Sequence, residues 1–280
     1  MSNPVFDRIG KDSRGYATFG DGRGNGRSAA PAQPGWNAPS PSELDAMYGA
    51  PAATTADTGR LTYDDVVVKT GLTFTVLLAG AGVGWFSTLN AVEAGRAPVL
   101  MIVGAIVGLV LGLVNSFKRE PSPVLILAYA AFQGLFIGGI SGVFESSYNG
   151  IVAQAVLGTL SVFVAVLVGY RSGKLRTSPK LNKIFFIAMM GYLLFSVVNL
   201  LLVGFAGQNL RGGMLGLVIG AFAVLLASYS LVMDFEFIQK GVEGGAPAKF
   251  AWTAAFGLVV TLVWLYIEIL RILSILRGDD

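Results

Sequence analysis

The sequence predicts an all-α, polytopic membrane protein with seven transmembrane helices, and three observations predict it. Hydrophobic residues make up 54% of the chain and charged residues only 13%, where a soluble domain carries about 25% charged residues. Mean hydropathy is +0.65. After residue 65 the apolar residues gather in blocks of roughly 20, the length that crosses a hydrocarbon core about 30 Å thick. A water-soluble core would show shorter runs with a polar face at helical spacing.

The spans fall at 66–89, 97–117, 123–144, 149–170, 184–205, 213–235 and 250–276. Thr62, with Asp65 three residues later, is placed to cap the first. Pro98 begins the second, and Pro121 and Pro123 separate it from the third. Pro179 is read as part of the long loop before the fifth. Backbone inside a bilayer must satisfy its own hydrogen bonds, so continuous helices are expected.

Lys and Arg residues set the expected orientation. Seven precede the first span or lie just inside it: Arg8, Lys11, Arg14, Arg23, Arg27, Arg60 and Lys69. Lys118 and Arg119 follow the second span. Arg171, Lys174, Arg176, Lys180 and Lys183 lie between the fourth and fifth, and Lys240 and Lys249 between the sixth and seventh. The other side holds only Arg96, Arg211, Arg271 and Arg277. The basic excess belongs in the cytoplasm. The expectation is a multi-pass cell-membrane protein with its N-terminus cytoplasmic and its C-terminus outside.

Residues 1–61 form a separate cytoplasmic tail ahead of a membrane domain at 62–280. Residues 20–58 are rich in Gly, Pro, Ala, Ser and Asn. Such a segment cannot bury enough apolar surface to offset its ordering entropy, so disorder is expected. Within it, Ser40-Pro41-Ser42-Glu43 fits a capping box with Pro at the first helical position, giving a possible short helix at 41–48. Residues 1–60 contain no apolar h-region of a secretory signal.

The chain has no cysteine and no histidine. Thiol nucleophiles, disulfides, the usual zinc sites, haem ligation and His-based acid–base work are thereby excluded. There is no Gly-rich phosphate loop and no nucleophile paired with a base. No enzyme activity and no cofactor are expected, and nothing points to nucleic acid.

Gly104, Gly108 and Gly112 recur every four residues in the second span, and Gly212, Gly216 and Gly220 in the sixth. Such rows let neighbouring backbones approach and are read as helix packing. Ionisable groups at membrane depth are more informative, because each costs on the order of 3 kcal/mol to insert. Asp234 lies toward the end of the sixth span, and Glu268 and Arg271 lie in the last. Glu145 ends the third span at an interface. Gln133, Gln154 and Asn199 are read as interhelical hydrogen-bond formers. Glu268 and Arg271, three residues apart, share a helix face and can pair. Alternatively Glu268 meets Asp234 across two helices. Two carboxylates in one dry site cannot both ionise easily, so such a pair holds a proton or, deprotonated, offers oxygen ligands to calcium.

The stretches Ser-Leu-Val-Met-Asp234-Phe, Leu265-Tyr266-Ile267-Glu268 and Tyr129-Ala-Ala-Phe-Gln-Gly134-Leu-Phe-Ile-Gly138 resemble the Bax inhibitor family, over roughly residues 62–280. The tail resembles that of certain bacterial members. The resemblance implies six helices wrapped around a central seventh. It also implies a pH-sensitive calcium leak gated by two acids of the sixth and seventh helices. Asp234 matches the first by its local sequence, and Glu268 falls at the second, with Glu where a member of the family carries Asp and a longer stretch between the two. A basic residue after the second helix, Lys118 or Arg119, would latch the closed state onto Asp234. Raising the pH is then expected to strip the shared proton and weaken that state. The expected partners are membrane lipids, calcium and protons. The alternative is an interaction protein that modulates a membrane protease or a stress response, with a membrane protein as partner.

Overall fold

The computed structural model describes residues 59–278. The short helix expected at 41–48 lies outside them. Seven α-helices follow one another: α1 (Tyr63–Glu93), α2 (Val99–Phe117), α3 (Pro123–Ser147), α4 (Ile151–Arg171), α5 (Pro179–Ala206), α6 (Gly213–Glu243) and α7 (Phe250–Gly278). All seven are long and apolar enough to cross a membrane.

Local chemistry explains where the helices begin. Thr62 Oγ1 accepts from the Asp65 backbone N–H at 3.0 Å while the Asp65 carboxylate accepts from Thr62, a complete capping box. Pro179 does not lie in a loop, as the sequence reading had it. It opens α5, because the Ser178 hydroxyl caps the Leu181 N–H at 3.2 Å and Pro suits the first helical position, where no amide donor is needed. Glu145 works across a turn: its carboxylate accepts from the Gly150 and Val152 amides and so caps α4, which has no side-chain cap of its own.

The tightest seam joins α1 to α3, and its glycines differ from the two rows the sequence reading singled out. A Cβ on Gly80 or Gly84 of α1 would collide with the carbonyls of Ala131 and Leu135. A Cβ on Gly134 or Gly138 of α3 would collide with those of Leu77 and Ala81. Two Gly-x-x-x-Gly faces therefore lie against each other with backbone nearly touching backbone. The row in α2 also packs, with Gly104, Gly108 and Gly112 against Phe132, Gln133 and Tyr129 of α3. In α6, Gly216 and Gly220 admit Ile275 and Ile272 of α7, whereas Gly212 lies before the helix as its N-cap.

Helix α7 is the buried axis. Ala255, Val259, Leu265 and Leu270 are fully buried, and α1, α3, α4 and α6 all pack on it. Helices α2 and α5 are peripheral, seated on α3 and α6. Phe205 is 89% exposed and Leu194 67%. Such surface would be costly in water and is at home against lipid tails.

Candidate functional site

Helices α6 and α7 form an antiparallel hairpin closed by Gly244 to Lys249. Each step back along α6 is matched by a step forward along α7: Asp234 and Ser230 meet Thr261, Gly220 meets Ile272, and Gly216 meets Ile275. This register decides which side chain faces Asp234. Thr261, only 4% exposed, donates its hydroxyl to Asp234 Oδ2 at 2.7 Å, and its Oγ1 lies 3.3 Å from Ser230 Oγ.

The structure does not bring Asp234 and Glu268 together. Glu268 lies seven residues beyond Thr261, a rise of about 10 Å along α7. Asp234 lies nine residues before the end of α6 and Glu268 eighteen residues after the start of α7, so the two acids stand at different heights along the hairpin. A joint calcium site from these two carboxylates has no geometric basis here. Among the described residues no three His, Cys, Asp or Glu side chains converge on a common point.

Asp234 is half-buried and lines a cavity of about 360 Å³ between α2, α3, α6 and α7. Lys118, the C-cap of α2, lines the same cavity; Arg119 does not. No ion pair joins Lys118 to Asp234. Beside this cavity, Lys249 Nζ lies 2.9 Å from Glu120 Oε1 and ties the α2–α3 connection to the start of α7. The hydrogen bond from Lys249 holds the Glu120 carboxyl below its ordinary range. The segment before α1 joins the same end, with the Leu61 N–H donating to Ala246 O at 2.7 Å.

A family model described as Bax inhibitor 1 like matches residues 3–278. The chain belongs to the Bax inhibitor 1 like family. Comparison with curated proteins finds no match. The family assignment agrees with a multi-pass membrane protein of seven apolar helices. In this member, the residue facing Asp234 from α7 is a hydroxyl, where the resemblance implied a second acid. The hairpin turn carried part of the signal: Gly244-Gly245-Ala246-Pro247 marks its centre, and equidistance from that centre pairs Ser230 with Thr261 and Asp234 with Gly257, one turn before Thr261 on the same face of α7.

Glu268 belongs to a second polar cluster toward the other end of α7. It is 1% exposed. Arg271 Nη1 donates to both its oxygens, at 3.2 and 2.9 Å. Arg211 Nη1 approaches to 3.8 Å, and the Tyr192 hydroxyl donates to Oε1. The pairing of Glu268 with Arg271 is thus present. Arg211, from the α5–α6 connection, and Tyr192, from α5, are participants the sequence reading did not assign to Glu268. Asn199 accepts from the Leu210 amide at 2.8 Å and fixes the same connection.

Proposed function

We propose that this protein is a proton-regulated cation leak, for calcium, in which Asp234 alone is the titrating gate group. The observation that carries the reading is the shared cavity of Asp234 and Lys118 at the basic end of the bundle. That end holds the Lys and Arg excess, so it faces the cytoplasm and the C-terminus faces outside. A single carboxylate with two hydroxyls makes a poor calcium cage, since calcium takes six to eight oxygens. Weak binding suits a leak, which must release its ion.

The partner of Asp234 sets the sign of the pH effect. Opposed by a second acid, a deprotonated Asp234 would be repelled. Opposed by Thr261, it keeps a hydrogen-bond donor and has Lys118 across the cavity as its attracting charge. Deprotonation then draws α2 toward α6 and closes the cavity; protonation releases Lys118. Flux rises as pH falls, the reverse of what a two-acid gate led the sequence reading to expect. The Thr261 hydroxyl can donate to the carboxylate or accept from the carboxylic acid, so it tolerates both states.

The test is calcium flux into liposomes holding the purified chain, across pH 6 to 8. Flux that increases toward pH 6 and loses its pH dependence in Asp234→Asn supports the proposal. Wild-type flux equal to that of empty liposomes at every pH defeats it.

A further inference from the structure

The cluster around Glu268 borders a cavity of about 680 Å³ between α3, α5, α6 and α7, at the opposite end of the bundle from Lys118. This cavity shares no lining residue with that of Asp234. Among the described residues its charges do not balance. Arg211 and Arg271 are permanently charged, and among the described residues Glu268 is the one carboxylate they share.

The donors exceed the acceptors as well. Arg271 spends Nη1 on both Glu268 oxygens, and among the described residues its Nε and Nη2 donate to nothing. Arg211 Nε is buried without an acceptor among them. The Arg211 guanidinium is fixed against the Tyr192 and Phe195 rings, 5.2 and 5.5 Å from their centroids, and donates to Ser196 Oγ. Gly212 and Gly213 bring the N-terminus of α6 to the cavity wall, and no side chain caps it. Uncapped amides at a helix start favour anions. Leu200 and Val203 of α5, 70% and 45% exposed, form an apolar rim beside these donors.

We infer that this cavity binds a phosphate oxyanion, held by Arg271 and Arg211 at the start of α6. Guanidinium groups recognise phosphate through paired N–H donors. The apolar rim on α5 is suited to the acyl chains of an anionic phospholipid. Free phosphate offers the same oxygens without the chains.

The test uses native mass spectrometry of the full chain in detergent, with phosphatidylglycerol, phosphatidylcholine or inorganic phosphate added. Asn209 lies on the cavity wall, is exposed, and accepts from the Arg211 amide at 3.0 Å. Asn209→Asp keeps that acceptor and the shape while adding a negative charge. Phosphatidylglycerol is expected to be retained over phosphatidylcholine, and Asn209→Asp should lower its retention about fivefold, the effect of one charge at a membrane surface. Displacement by millimolar inorganic phosphate would support the site with free anion as the source. Arg271→Gln should lose binding in the same assay. Equal retention of both lipids with no phosphate bound, or anion binding unchanged by Asn209→Asp, would overturn the inference.

Discussion

The Thr261 hydroxyl and Asp234 Oδ2 lie 2.7 Å apart, a donor and a carboxylate facing each other across the α6–α7 hairpin. A Cβ on Gly257, one turn earlier on α7, would sit 3.2 Å from Asp234 Oδ1. One face of α7 therefore presents a gap and then a hydroxyl to this carboxyl. A lone carboxyl titrates as one proton, so the flux–pH curve should follow a single ionisation with a slope of about 1. Asp234→Asn should flatten the curve, read as a pH 6 to pH 8 flux ratio near that of empty liposomes.

Thr261→Asp would install the second acid that the hairpin register omits. Two carboxyls at that separation titrate as a coupled pair, in two macroscopic steps. The expected outcome is a broader, two-step flux–pH curve. Thr261→Val removes the donor and should cost about 1 kcal/mol of stability while leaving one step. A single unaltered step in Thr261→Asp would mean that the facing geometry is wrong.

Lys118 and Arg119 are neighbours in sequence but differ in position, since only Lys118 lines the cavity of Asp234. Lys118→Gln should raise flux at pH 8, where the carboxylate needs its attracting charge. Arg119→Gln should leave the pH profile in place. Equal effects of the two variants would reduce Lys118 to an interfacial anchor.

Glu120 gives a control with a different sign and window. The Lys249 hydrogen bond depresses its folded-state pKa. Its stabilising contribution is present above the ordinary carboxylate pKa, about 4.3, and is lost as pH falls through the depressed value. Between pH 6 and 8 the contact is constant. Glu120→Gln should therefore change flux amplitude at most, with the midpoint of the curve unmoved.

These contrasts show where the sequence was readable. The seven spans follow from apolar block length alone, and the Thr62 cap from two residues. Asp234 and Glu268 stood out because carboxylates are rare in apolar segments. Their partners were not legible in the same way, because partnership depends on helix register. The hairpin centre at Gly244 to Pro247 was the available clue that Gly257, with Thr261 one turn beyond it, lies beside Asp234 and that Glu268 does not. Tyr192 and Arg211 reach Glu268 from α5 and from the α5–α6 connection, whose placement beside α7 hydropathy does not give. The α1–α3 seam was half visible: Gly134 and Gly138 were noticed as part of a resemblance, but their fit against Gly80 and Gly84 needed the two helices side by side.

That seam yields a stability prediction independent of function. At Gly138 a Cβ would overlap the Ala81 carbonyl, a backbone group that cannot swing aside. Gly138→Ala must therefore push α1 and α3 apart, at about 1–3 kcal/mol for an overpacked contact. Gly82, on α1 between Gly80 and Gly84, has nothing within 4 Å of its Cβ position. Gly82→Ala should be neutral or slightly stabilising, since alanine is the better helix former by about 1 kcal/mol. Thermal unfolding of both variants in detergent checks the pair. A Gly138→Ala melting temperature equal to that of Gly82→Ala would show that the two helices do not approach as closely as their backbones indicate.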